Sequence, residues 1–435
     1  MTTKKSAEKK LVSIKKSPKS LGKPMKGRDI LVKALVNEGV KVIFGYPGGA
    51  SMEIHQGLTL APKIRMVLPR HEQGGSFAAG GYARATGEVG VCLATSGPGA
   101  TNLITGIIDA KMDSIPIIAI TGQVPSTVLG SDAFQETDIM GATFPLVKHS
   151  YMIQNVAEIP RIIHEAFHIA RTGRPGPVLV DIPKNIQQQE GVADFDVTFD
   201  VPSYRPNLKP SILQCKKAAH TIQTAKRPII YAGGGIISSG ASAELRAFVK
   251  KTGIPITTTV MGLGAYPSTD PLSLRMLGMH GAVYANIAMN HADLVIAMGV
   301  RFDDRVTGKL AEFCKNAQII HIDIDPTEIN KNIVVDIPIQ GDVRLALKIL
   351  HDFVEPKKEI KPWIKQVQGW KKEFPLEFKL KKGEIVPQAV VSEINKLADD
   401  NAIFSVGVGQ HQMWAAQFLD FDKPNNWLCS SGLGA

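Results

Sequence analysis

The sequence predicts an α/β protein made of successive parallel-sheet domains, on three observations. From Gly27 onward, short apolar runs alternate with stretches of helical spacing, the pattern of a parallel sheet covered on both faces. Glycine turns follow several of these runs, at residues 45–50, 97–99 and 233–235 and at Gly299. Two stretches, 188–207 and 355–383, lose the rhythm and read as linkers, dividing the chain into three units. Two or three domains also fit the length, at roughly 100–200 residues each.

Residues 1–26 come first, with nine lysines against the single Glu8, and hold most of the formal net charge of +10. Without apolar periodicity such a stretch predicts a disordered basic tail and not a basic folded face, which argues against a nucleic-acid partner. It has neither the apolar core of a secretory signal nor the Arg-rich pattern of a mitochondrial presequence. A plastid address stays compatible with it. Cys92, Cys215, Cys314 and Cys429 lie far apart with no CxxC pair, so neither a zinc site nor a disulfide framework is indicated. No apolar run reaches the roughly 18–20 residues of a membrane span. The expected setting is the cytoplasm, with no membrane partner.

In the first unit, 27–187, strands are expected at 40–44, 64–68, 89–95, 115–121 and 177–182, and helices at 28–38, 76–85, 101–111 and 159–172. The run ending at Leu68 feeds directly into Pro69-Arg70-His71-Glu72-Gln73-Gly74-Gly75. A glutamate there sits at a strand's carboxyl end, where open α/β sheets bind ligands. Its small and apolar neighbours are expected to desolvate it and raise its pKa; the alternative is that Glu72 merely caps the helix. The turn Phe44-Gly45-Tyr46-Pro47-Gly48-Gly49-Ala50 also follows a strand, as does Thr95-Ser96-Gly97-Pro98-Gly99-Ala100-Thr101-Asn102. The second opens a helix, whose N-terminal donors can hold an anion or a polar ring; a plain strand-to-helix turn is the other reading. Neither is a P-loop or a GxGxxG fingerprint. There is no GxSxG elbow, and His164 and His168 lack an intervening general base, so they read as surface or packing residues.

The second unit, 208–354, has expected strands at 228–232, 254–259, 294–298 and 318–324. Gly233-Gly234-Gly235 after its first strand could cradle a dinucleotide. Arg301-Phe302-Asp303-Asp304-Arg305 places arginine forks and aspartates at a strand end, suited to phosphates and ribose hydroxyls; a surface ion-pair network is the alternative. His321-Ile322-Asp323-Ile324-Asp325 ends the next strand with acids. The 355–383 linker is expected to carry a helix. The third unit, 384–435, has a helix at 387–397 and a strand at 402–407, too little to bury a core of its own. It reads as the start of a domain cut short.

Taken together, these stretches resemble the catalytic subunits of the acetolactate synthase (acetohydroxyacid synthase) family, within the thiamine-diphosphate-dependent decarboxylases and carboligases. The resemblance rests on residues 44–50, 70–74, 81–87, 95–102, 112–116, 132–138, 173–181, 277–281, 301–305 and 408–414, in one order along nearly the whole chain from Gly27. It implies a pyrimidine-binding domain, a central FAD-binding domain and the start of a diphosphate-binding domain. The family's catalytic glutamate maps onto Glu72. A carboxyl near pKa roughly 6–7, above a reference of about 4.3, suits proton exchange with the thiamine aminopyrimidine. That exchange promotes formation of the ylid that attacks pyruvate. Loss of CO₂ leaves an enamine, which adds to a second 2-keto acid, pyruvate or 2-ketobutyrate. The product, 2-acetolactate or 2-aceto-2-hydroxybutyrate, is the first common step toward valine, leucine and isoleucine.

Position by position, the resemblance implies that Gly49, Ala50, Pro98 and Asn102 flank thiamine diphosphate with Glu72, and that Gln410 and His411 reach its diphosphate. Phe134, Gln135 and Lys184 would line the substrate's approach, Lys184 facing a carboxylate. FAD would meet Arg174, Gly233, Gly234, Gly235, Thr259, Leu277, Met279, His280, Arg301, Asp303, Arg305, Asp323 and Asp342. Mg²⁺ is implied as well, but the family's Gly-Asp-Gly segment and downstream Asn would fall beyond Ala435, as would its cofactor-bending methionine and acceptor-selecting tryptophan. No metal ligand is therefore expected in this sequence, and the chain as written is expected to turn over poorly or not at all. The family also implies a homodimer or homotetramer, each site being shared between subunits, with a possible small regulatory subunit. Two stretches depart from the family pattern, 51–55 and 75–77, and both flank motifs without altering the acid. Two other readings remain open: another carboligase or oxidase of the superfamily, and a non-catalytic flavin-binding protein.

Overall fold

The structure, a computed structural model, describes residues 23–196, 201, 203–380 and 383–435. Most of the expected basic tail, residues 1–22, lies outside the described residues, as do parts of both expected linkers. The tail's last two residues depart from the expectation of disorder. Strand β1 (Met25–Lys26) pairs antiparallel with β8 (Glu190–Gly191), clasping the two ends of the first domain together.

That domain is a six-stranded sheet of β2 (Val42–Gly45), β3 (Arg65–Val67), β4 (Gly90–Ala94), β5 (Ile117–Gln123), β6 (His149–Met152) and β7 (Val178–Pro183), in the order β3-β2-β4-β5-β7-β6. Every adjacent pair is parallel. Strands β4, β5 and β7 are buried along their whole length, which is why they are legible as continuous apolar runs. The helix Ile159–Arg171 buries Ile159, Ile162, Ile163, Ala166 and Phe167, a stripe at helical spacing facing the sheet.

The second sheet contains β9 (Pro228–Ala232), β10 (Ile256–Thr258), β11 (Ser273–Met276), β12 (Leu294–Met298), β13 (Gln318–Asp323) and β14 (Ile337–Gln340), in the order β11-β10-β9-β12-β13-β14, again all parallel. The expectation of parallel-sheet α/β domains therefore holds in both. Three strands were not legible beforehand, β6, β11 and β14. Each is a sheet edge of four residues with polar positions, as edges tend to be.

The 355–383 stretch departs from a simple linker. Its helix Lys361–Glu373 buries Trp363 and Val367 in the second core, and the Trp363 indole donates to the Pro228 carbonyl at 2.9 Å. Tyr204, in the other expected linker, is likewise tied down: its hydroxyl sits 2.9 Å from Lys148 Nζ and 2.6 Å from the Thr172 carbonyl.

The third unit places the helix Gln410–Phe418 between β15 (Phe404–Val406) and β16 (Trp427–Cys429), which pair in parallel. It borrows its core from the second domain. Ala415, Ala416, Leu419, Phe421, Trp427 and Cys429 pack with Leu263 and Met276, and Arg275 donates to the carbonyls of Gln417 and Leu419.

Candidate active site and a second cavity

Each sheet winds outward in one direction and then restarts on the other side of its first strand. The reversal falls between β2 and β4 in the first sheet and between β9 and β12 in the second. Loops diverge at such a switch point, leaving a crevice at the carboxyl ends of the strands.

At the first crevice, the helix Glu72–Thr86 begins at Glu72 itself, four residues earlier than the spacing predicts. His71 is the cap: its ring Nδ1 accepts from the Gln73 N–H at 3.1 Å. That finding corrects the alternative in which Glu72 merely caps the helix. The Glu72 carboxylate instead turns toward the β4 loop, where Oε2 accepts from Asn102 Nδ2 at 3.1 Å. A side chain at Gly99 would begin 3.4 Å from Oε1. The desolvation expected of Glu72 is only partial within one chain. It is half-buried, between exposed His71 and Gln73.

The remaining thiamine-site candidates gather around this acid. The Ala50 N–H donates to Thr95 Oγ1 at 3.0 Å, binding the β2 turn that carries Gly49 to the β4 loop that carries Pro98 and Asn102. Gly97 has φ +58°, and a Cβ there would come within 2.8 Å of the Gln135 carbonyl, so only glycine lets the two loops touch. Gln135, also at positive φ, and Phe134, 87 % exposed, therefore sit against the Glu72 loops. Lys184 opens the short helix Lys184–Gln188 after β7, partly exposed. Gln410 and His411 are exposed at the start of their helix, and among the described residues no hydrogen bond joins them to the Glu72 group.

Sequence reasoning missed the polar supports beneath these loops. Gln187, fully buried, donates to the Ala50 carbonyl and to the Ile182 carbonyl, each at 2.7 Å. Asp181, also fully buried, accepts from Thr121 Oγ1 at 2.7 Å and from Gln123 Nε2 at 2.9 Å. Burial pushes its carboxyl up to about 6. For Asp181 the available signal was a carboxylate set within an otherwise apolar strand; Gln187, on the short helix after it, carried none.

The second crevice opens into a cavity of about 730 Å³ lined by all three units. Its wall includes Arg174, Gly234, Gly235, Thr259, Leu277, Met279, His280, Arg301, Asp303, Arg305, Asp323 and Asp342, which were expected to share one ligand. Gly233 is a departure. It lies beneath the wall, donating to the Met298 carbonyl at 3.0 Å, and a Cβ there would strike the Gly299 carbonyl at 2.2 Å. Several wall residues also have local work. Asp303 and Asp342 cap helices through the N–H groups of Arg305 and Leu345. Thr259 Oγ1 accepts from the Gly262 N–H. Asp323 accepts from the Asp325 N–H at 2.9 Å, and burial pushes its carboxyl up to about 6.

Arg174 joins the domains at this cavity, donating to Ser114 Oγ at 2.8 Å, Asp325 Oδ2 at 3.1 Å and Glu328 Oε1 at 2.7 Å. Next to Ser114, Asp113 accepts from the N–H groups of Ser431 and Gly432, at 2.9 and 2.7 Å. Asp113 also pairs with Arg84 at 2.7 Å, and Arg84 lies on the helix that begins with Glu72.

Comparison with known proteins agrees with this geometry. Residues 25–142 match the family model described as the thiamine pyrophosphate enzyme N-terminal TPP binding domain, and residues 215–350 match that of the thiamine pyrophosphate enzyme central domain. The chain belongs to the thiamine pyrophosphate enzymes. It is 54% identical over 419 residues to acetolactate synthase 3, chloroplastic, of Brassica napus, covering 95% of this chain and 64% of that protein. It is 53% identical to acetolactate synthase, chloroplastic, of Arabidopsis thaliana and to acetolactate synthase 1, chloroplastic, of Oryza sativa subsp. japonica, over 95% of this chain and 62% and 65% of those proteins. The chain thus spans somewhat less than two thirds of the length of these relatives.

Proposed function

We propose that this thiamine pyrophosphate enzyme has acetolactate synthase activity, joining two 2-keto acids with loss of CO₂. The observation that carries the reading is Glu72, held by Asn102 at the first switch point, beside the Gly49–Ala50 turn and under the Phe134–Gln135 loop. Bound thiamine diphosphate supplies the electron sink that decarboxylation of a 2-keto acid requires. With that group bound, Glu72 would face its pyrimidine ring and could hold or release a proton at its carboxyl, which Asn102 fixes in position. Residues 48–51 and 95–102 would flank the ring. Phe134, Gln135 and Lys184 guide the substrate, with the Lys184 ammonium set for a carboxylate. Glu72 is open on one side, which a second subunit would cover, completing desolvation of the acid. On this reading the working unit is a homodimer or larger, with Gln410 and His411 serving the neighbouring site.

The second cavity fits FAD in size and donor set. Pockets of roughly 300–1,000 Å³ hold ligands of this class, arginines suit its diphosphate, and Asp323 suits a ribose hydroxyl. Glu328, on the same wall, also has a buried Oε2 with no protein partner. For Mg²⁺ the residues do not fit. Among the described residues no cluster of three or more His, Cys, Asp or Glu could hold a metal ion, and no step is assigned to it. The four cysteines are buried and unpaired, which suits a reducing compartment, cytoplasm or plastid; the relatives named above are chloroplastic.

The test is 2-acetolactate formation from pyruvate by the full-length protein, supplied with thiamine diphosphate, Mg²⁺ and FAD. Product from the parent and its loss in Glu72→Gln support the reading. No product from the parent, or an unchanged rate in Glu72→Gln, overturns it.

A further inference from the structure

Burying an amide and a carboxylate in two neighbouring, largely apolar strands needs a reason, because such groups cost stability unless fully bonded. Gln123 closes β5, and Asp181 lies within β7, the strand beside it. The exposure of Gln123 is 2% and that of Asp181 is 0%. Their bonds point one way. Gln123 Nε2 donates to Asp181 Oδ2 at 2.9 Å and to the Thr137 carbonyl at 3.0 Å, while its Oε1 accepts from the Val124 N–H at 2.9 Å. Asp181 is steadied from its other oxygen by Thr121 Oγ1 at 2.7 Å. Both amide protons are used, and the outer bond leaves the sheet for the loop bearing Phe134 and Gln135. The carbonyl of Gln135 rests against Gly97, on the loop that brings Asn102 to Glu72.

We infer that Gln123 and Asp181 are positioning residues for the 2-keto acid, a buried strut that fixes the 133–138 loop and so places Phe134 and Gln135 beside Glu72. The inference rests on the 2-keto acid chemistry proposed above. An exposed aromatic such as Phe134 ordinarily samples several orientations; the strut holds its backbone still so that substrate meets one geometry.

The strut separates three variants by chemistry. Gln123→Met keeps the volume and loses every bond. Asp181→Asn keeps the strut, because its amide oxygen can accept from Gln123 while its NH₂ donates to the Thr121 hydroxyl oxygen. Thr121→Val removes only the bond on the far side of Asp181. In the full-length protein, Gln123→Met is expected to raise the KM for pyruvate about tenfold, the worth of a lost hydrogen bond, with kcat nearly unchanged. Thiamine diphosphate affinity stays at the parent value, and amide hydrogen exchange quickens in residues 130–138. Asp181→Asn and Thr121→Val keep a parental KM and parental exchange there. Parental KM and exchange in Gln123→Met would overturn the inference, as would an equal rise in Thr121→Val, which signals general loosening. Should Gln123→Met fail to fold, Asp181→Leu, which removes the carboxylate that accepts from Gln123, reads the same loop: quickened exchange in residues 130–138 supports the strut and parental exchange overturns it. An inactive parent defeats the proposed function instead, and exchange in residues 130–138 still decides whether the strut exists.

Discussion

Glu72 shows how one residue is freed for chemistry by its neighbour. His71 satisfies the helix N-terminus, leaving the Glu72 carboxylate to Asn102 and to whatever occupies the crevice. Replacing a general acid–base group usually costs about a hundred- to ten-thousand-fold, so Glu72→Gln should lower acetolactate formation by that factor at unchanged thermal stability. A coupled decarboxylation assay beside a melting curve checks both halves. Asp181 makes a different prediction. Burial holds its carboxyl at about 6 in the folded protein, against 3.8 ordinarily. Between those values the folded state binds the extra proton, so this group's stabilising contribution is full below about pH 4, falls as pH rises to about 6, and is gone above. Asp181→Asn removes the dependence. Its urea midpoint should change less than the parent's between pH 4 and 6, and Asp323, pushed up to about 6 as well, remains in both proteins and cancels from the comparison.

At the level of elements, the helix Glu72–Thr86 is anchored at its far end by Arg84, which pairs with Asp109 at 3.0 Å and with Asp113 at 2.7 Å. All three side chains are buried. Arg84→Met leaves two carboxylates without a countercharge and should cost about 3–5 kcal/mol, read from denaturant midpoints. The helix Lys361–Glu373 carries a similar prediction: Trp363→Ala should cost about 3–5 kcal/mol, because its ring fills the second core. A true linker would show almost no effect. Which elements were legible follows from burial. Strands β4, β5, β7, β9 and β12 lie inside their sheets and spell largely apolar runs, whereas β6, β11 and β14 are edges whose half-polar sequences resemble loops; β3, also an edge, was legible because Met66-Val67-Leu68 is apolar. The site divides in the same manner. Glu72, the two glycine turns and most of the cavity wall lie where a strand runs into a glycine- or charge-bearing turn, which sequence displays. Gln123 and Asp181 act through the register of neighbouring strands, Gln187 reaches back from a helix to the Ala50 carbonyl, and Ser114, Asp325 and Glu328 act through Arg174 from two different domains. Apart from a polar residue within an apolar strand, nothing local in the sequence marks such partners.

Across the whole molecule, the second cavity is a joint. Its wall draws on all three units, and Arg174 links the first domain to the second through Ser114, Asp325 and Glu328. Arg174→Ala would strip Asp325 of its countercharge and leave Glu328 with Lys331 alone, at the wall proposed to hold FAD. Flavin affinity should fall about tenfold or more, visible as loss of yellow colour on gel filtration and as weaker quenching of flavin fluorescence; a variant that stays fully yellow would remove FAD from this cavity. The neighbouring Asp113 bears on how the protein is made. Asp113 waits for the N–H groups of Ser431 and Gly432, more than three hundred residues downstream. At roughly 5–20 residues per second, a ribosome delivers them some 15 to 60 s after Asp113 has emerged. Arg84, only 29 residues before Asp113, is already present. It can hold that carboxylate through the interval, so the first domain leaves the ribosome with this buried charge already matched, and this side of the cavity closes only once Ser431 and Gly432 have followed.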